Sequence, residues 1–154
     1  MSTSTPDTEL VITRIFKAPR EAVYRAFTDP DQLSAWFGPV GWSVPRDTVD
    51  QDIRVGGHQR FVMVNDADPS KASPVNATFV EVVENELIVG EERWEGVPGR
   101  QDGGVMQARM EFHDQGDGTT MLVIRQGPYT AEMRKMADMG WESSFTKLDA
   151  LLAG

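Results

Sequence analysis

Residues 10–16 alternate strictly: Val11, Thr13 and Ile15 point one way and Leu10, Ile12, Arg14 and Phe16 the other, the period of a β-strand. Pro19 then opens a helix whose apolar residues Ala22, Val23, Ala26 and Phe27 form one stripe. A second short helix, over residues 31–37, sets Leu33, Trp36 and Phe37 at helical spacing and stops at Gly38-Pro39. Turn-forming clusters at Gly56-Gly57, 66–74, Glu84-Asn85, 96–104 and 114–118 cut the next stretch into six strands, 44–53, 58–65, 76–83, 87–95, 105–112 and 119–126. Connections this short predict antiparallel neighbours, since parallel ones need crossovers of roughly a dozen residues.

Thr130 is the predicted N-cap of a helix running to Ala153, with Met133, Ala137, Trp141, Phe145, Leu148 and Leu152 recurring at three- and four-residue steps. Its length of about 34 Å crosses a whole sheet, so it is expected to lie over the concave face. Gly140 in its middle costs about 1 kcal/mol relative to alanine and predicts a close backbone approach or a local bend. One strand, two short helices, six strands and a long helix make an α+β fold.

The chain has 154 residues, enough for one domain over residues 9–154 after a disordered lead at 1–8. The net charge of −9 argues against nucleic acid and anionic membrane surfaces as partners. With no cysteine there is no thiolate nucleophile, disulfide or Cys-ligated metal. No apolar run reaches the roughly 20 residues of a membrane span, and residues 1–7 lack the features of a signal peptide, so the expected location is the cytoplasm. Asn76-Ala77-Thr78 reads as a coincidental strand triplet rather than a glycosylation site.

Four stretches make the order of elements more specific: APREAVYRAFTDP at 18–30, LSAWFGP at 33–39, Gly56-Gly57 with Phe61-Val62-Met63, and Met139-Gly140-Trp141 leading to Lys147-Leu148. In these the chain resembles the START-like (SRPBCC) superfamily, in its branch named after the activator of heat-shock-protein-90 ATPase. The resemblance implies a helix-grip fold, a seven-stranded antiparallel sheet wrapped around a long C-terminal helix, with a hydrophobic cavity between them. Superfamily members include lipid and hormone binders, cyclases and chaperone-activating domains, so the fold leaves the function open. The resemblance carries no catalytic signature onto this sequence.

Phosphate loops, G-x-S-x-G elbows and H-E-x-x-H motifs are missing. His58 and His113 are isolated, read as solvated edge residues, and no metal or cofactor is expected. If Phe61 and Met63 face the cavity, so does Gln59; Ile88, Gly90, Glu92 and Trp94 share one face, and Met106, Ala108, Met110 and Phe112 another. Glu92 is then an acid or anchor with a raised pKa in an apolar pocket, whereas a bulge or a parity slip puts it in solvent. Relatives are expected to carry aromatics near Gln59 and Gly90, which implies a roomier cavity here. Met63, Met106, Met110, Met121, Met133, Met136 and Met139 suit an adaptable wall, or equally a gap-filled core, and Trp141 and Phe145 complete the predicted lining. Trp36, Phe37 and Trp42 around residues 38–41 form either a gate or a plug. Arg93, Arg100, Arg109 and Arg125 are available for an acidic ligand group.

The leading functional reading is binding of a small hydrophobic or aromatic molecule. The alternatives are an enzyme of cyclase, hydratase or hydrolase type using Glu92, and a module that stimulates a chaperone ATPase. An exposed strand edge can also support a homodimer.

Overall fold

The computed structural model describes residues 9–93 and 105–153. The expected lead at 1–8, the turn at 96–104, Trp94 and Arg100 lie outside the described residues. Strand β1 (Leu10–Phe16) is followed by helices α1 (Arg20–Thr28) and α2 (Pro30–Trp36). Six of the strands that follow are β2 (Trp42–Ser43), β3 (Asp50–Gln51), β4 (His58–Asn65), β5 (Ala72–Val83), β6 (Leu87–Arg93) and β7 (Val105–Asp114). Strand β8 (Thr120–Gly127) then leads to helix α3 (Ala131–Ala153). All strands pair antiparallel, in the order β1-β8-β7-β6-β5-β4-β2, with β3 also on β4. This is the α+β helix-grip arrangement.

Of the expected strand at 44–53 only Asp50–Gln51 pairs, as β3; β2 lies just before it at Trp42–Ser43, and Pro45 with a 3-10 turn at Arg46–Thr48 separates the two. Proline lacks the N–H that a continuous ladder needs, so the sheet has eight strands rather than seven. Pro74 misleads in the opposite sense, because β5 begins at Ala72 and Pro74 pairs with Val62. It is tolerated there because the β5–β6 ladder runs only from Val83 opposite Leu87 to Thr78 opposite Glu91, leaving Pro74 laddered to β4 alone. A bulge between Phe79 and Glu81 turns both Phe79 and Val82 toward the core. Strand β6 itself keeps unbroken register with β7 from Leu87 to Arg93.

Local signals explain the helix starts. The Asp29 carboxylate accepts the N–H groups of Asp31 and Gln32 at 2.9 and 3.4 Å, and Thr130 Oγ1 accepts that of Met133 at 3.1 Å. Tyr24 and Phe27 of α1 meet Phe112 of β7 edge to face, and Phe27 also meets Trp36, closing one end of the core. Phe145 and Leu148 of α3 are fully buried, with Phe145 edge-on to Phe16 of β1. Arg14 pins the same helix, reaching Glu142 at 2.9 Å and Asp149 at 2.6 Å while its guanidinium lies over Phe16 and Phe145. Among the described residues no helix is long and apolar enough to cross a membrane.

Candidate functional site

A cavity of about 380 Å³ lies between the concave sheet face and α3. Small residues hollow out its floor. Across the sheet, Gln126 of β8 stands opposite Ala108 of β7, and Ala108 opposite Gly90 of β6. In the neighbouring row Ala77 of β5 lies beside Gln59 of β4. All five line the cavity. A Cβ added at Gly90 meets Thr78 O, Phe79 and Ala77 only at 3.6–3.9 Å, so no close approach demands glycine there. Its missing side chain is simply space.

The walls are apolar: Phe61 and Met63 from β4, Phe79 from β5, Met106 and Met110 from β7, and Ala137 and Trp141 from α3. Phe37 sits between the sheet and the helix, its ring 4.9 Å from that of Phe61 and 5.6 Å from that of Trp141. Gly140 lines the cavity on the same helix face as Ala137 and Ser144, and a Cβ added there meets nothing within 4 Å. The expected close approach at Gly140 is therefore corrected: this glycine borders open space.

Polar groups punctuate the lining. Glu92 is on the inner face, as uninterrupted β6 parity requires, and its Oε2 accepts the Asn76 N–H at 3.0 Å where β5 parts from β6. The carboxylate of Glu91 instead takes the Gln107 amide at 3.3 Å. Gln59 Oε1 accepts from Gln51 Nε2 at 2.6 Å, and the same nitrogen donates to Phe27 O at 3.0 Å. Gln126 Oε1 accepts from Trp141 Nε1 at 2.9 Å, tying β8 to α3.

Of the predicted lining, Phe37, Gln59, Phe61, Met63, Gly90, Glu92, Met106, Met110 and Trp141 border the cavity. Trp36 does not: it is wholly buried and donates its Nε1–H to Ala26 O at 2.8 Å, a plug rather than a gate. Phe145 is likewise packed out of reach in the core. Met133 packs against the core edge without lining the cavity, and Met136, 67% exposed, is on the outer face of α3. Trp42 also stays outside, its carbonyl accepting Lys147 Nζ at 3.0 Å. Burial holds that ammonium below the ordinary lysine range, with Asp66 pulling it partly back.

Sequence reasoning missed Gln126 and Tyr129 in the lining and Gln51 behind it. The parity of β8 through Thr120, Leu122 and Ile124 reaches Gln126, but apolar residues on both faces of that strand hide the signal.

The charged candidates lie elsewhere. Arg109 and His113 flank Glu111 at 2.7 and 2.9 Å on the outer sheet face, and Arg125 is 3.8 Å from Glu9. The hydrogen bonds from Arg109 and then His113 hold the Glu111 carboxyl below the usual glutamate range. His58 is half-buried, with Nε2 3.0 Å from Asp50. Among the described residues, no Lys, Arg or His lines the cavity, and no group of three side chains could hold a metal ion.

Solved structures share this architecture over nearly their whole length. A protein of Chromobacterium violaceum superposes with a TM-score of 0.82 at 26% identity, covering 96% of this chain and 98% of its own. One of Nitrosomonas europaea gives 0.78 at 25%, covering 97% of each chain. The AHSA1 protein of Silicibacter pomeroyi gives 0.78 at 26%, covering 94% and 97%. Among curated proteins there is no significant match. The family described as Activator of Hsp90 ATPase homolog 1-like protein matches residues 17–153, which takes in both short helices, the sheet from β2 to β8 and the covering helix. The chain therefore belongs to that family, within the START-like superfamily.

Proposed function

We propose that this protein binds a small, largely apolar molecule in the cavity between the sheet and α3. The observation that carries the reading is the hollow itself. Its 380 Å³ is within the roughly 300–1,000 Å³ typical of small-molecule sites, and its floor is opened by Ala77, Gly90 and Ala108. Three methionines in the wall, Met63, Met106 and Met110, can repack around ligands of differing shape.

Burial of about 300 Å² of ligand surface at about 25 cal/mol per Å² gives about 7.5 kcal/mol before ordering costs. Dissociation constants no tighter than about 3 μM, and of roughly several hundred μM once about 3 kcal/mol is lost to ordering, follow. The test is native mass spectrometry of freshly purified protein, with denaturing extraction of any retained molecule, alongside titration with the neutral dye Nile red. Saturable dye binding that Gly90→Leu abolishes, in a variant that still folds, supports the reading. Absence of dye binding, or binding unchanged in that variant, overturns it.

A further inference from the structure

We infer that the cavity selects a neutral ligand bearing a hydrogen-bond-accepting oxygen, such as a ketone, ester or ether, and disfavours a carboxylate. This rests on the cavity being a binding site, and it follows from the orientation of two glutamine amides. The indole N–H of Trp141 is a donor only, so the Gln126 atom facing it at 2.9 Å is the oxygen, which leaves the amino group unengaged by that contact. The carbonyl of Phe27 is an acceptor only, so Gln51 turns its amino group toward it at 3.0 Å. That same nitrogen is 2.6 Å from Gln59, which must therefore present its oxygen to Gln51 and keep its own amino group for other partners.

Among the described residues neither amino group has a protein partner. Both side chains line the cavity, one from β4 and one from β8, with β5, β6 and β7 between them. The hollow is thus bordered from two sides by N–H donors. An incoming ligand displaces the water that solvates them, and a purely apolar one leaves them unsatisfied. Gln51 lines none of the cavity and acts as a positioning residue for Gln59.

Charge narrows the class further. A carboxylate has the right acceptors, but it enters a lining with no cationic side chain among the described residues and with Glu92 on the inner face. Loss of hydration without a compensating cation penalises it. A neutral oxygen satisfies the same donors without that cost.

The experiment displaces Nile red with acetylnaphthalene, isopropylnaphthalene and naphthoate, substituted at the same carbon and equal in heavy atoms. Wild type is compared with Gln59→Met and with Gln126→Glu, which keeps an acceptor for the Trp141 N–H. Each variant is expected to weaken acetylnaphthalene by about fivefold more than it weakens isopropylnaphthalene. Naphthoate is expected to bind wild type at least about tenfold more weakly than acetylnaphthalene. Equal losses for ketone and hydrocarbon in both variants, no loss in either, or naphthoate matching the ketone overturns the selectivity. If Nile red binds and all three compounds fail to displace it, the selectivity is likewise overturned; if Nile red itself does not bind wild type, the cavity reading fails and this inference with it.

Discussion

Replacing Gly140 with alanine should stabilise the protein, although the residue is in the middle of its longest helix and borders its cavity. An interior helical glycine is less favourable than alanine by about 0.8–1 kcal/mol, chiefly through the backbone entropy lost on folding. The added Cβ meets nothing within 4 Å, so neither a clash nor new packing offsets that gain. The Ser144 hydroxyl donates to the Gly140 carbonyl at 2.8 Å, a bond the new methyl group leaves in place. The expected gain of about 1 kcal/mol raises Tm by roughly 2–4 °C in a domain of this size, measurable by circular dichroism melts and urea titration. Gly140→Leu adds a similar propensity but extends an apolar side chain from the helix face that Ala137 and Ser144 share with the cavity. It should keep or exceed wild-type stability while weakening Nile red binding at least about tenfold, because it occupies the ligand's space. Destabilisation by Gly140→Ala would refute the open-space reading. Undiminished dye affinity in Gly140→Leu would show that this helix face does not bound the binding volume.

The opposite outcome is expected at Gly57, where an added Cβ would be 2.0 Å from Asp52 O; Gly57→Ala should cost about 1–3 kcal/mol in urea unfolding, and a neutral result would contradict the turn geometry. Trp36→Phe removes the buried donor to Ala26 O and leaves that carbonyl unpaired, so a loss of about 1–3 kcal/mol in unfolding free energy is expected. Glu111 has a folded pKa below its ordinary 4.5, so its contribution is complete above about that pH and is lost as pH falls through the folded pKa. Glu111→Gln should therefore flatten the fall of stability below pH 4.5, and an unchanged slope in acid urea titrations would remove Arg109 and His113 as the cause.

Much of this architecture is legible in the chain because the two faces of an element meet different surroundings. Strand β1 buries Leu10, Ile12 and Phe16 and exposes Val11 and Ile15, so its alternation is plain. Strand β8, between β1 and β7, covers residues on both faces, and its run of apolar residues carries no parity. Pro45 and Pro74 have the same local chemistry and opposite outcomes. One interrupts the expected strand at 44–53, and the other sits within β5 where its ladder with β6 has already ended. Trp36 and Phe37 are adjacent and both aromatic, yet one is sealed in the core and the other borders the cavity. Their places depend on where α2 ends, a boundary that periodicity fixes only to within a residue or two.

By itself the sequence determined the strand–helix–helix opening, the antiparallel meander, the cap at Thr130, and that Gln59 shares a face with Phe61 and Met63, while leaving open which way Gly90 and Glu92 point. Each follows from interactions a few residues apart or from a two-residue period. The tertiary structure alone decided that Gly140 faces space, that Ala77, Gly90 and Ala108 meet in one hollow, and which way the amides of Gln59 and Gln126 turn. Those features join residues from different strands and the covering helix. An amide's orientation depends on the donor or acceptor that folding brings opposite it, which no local pattern specifies.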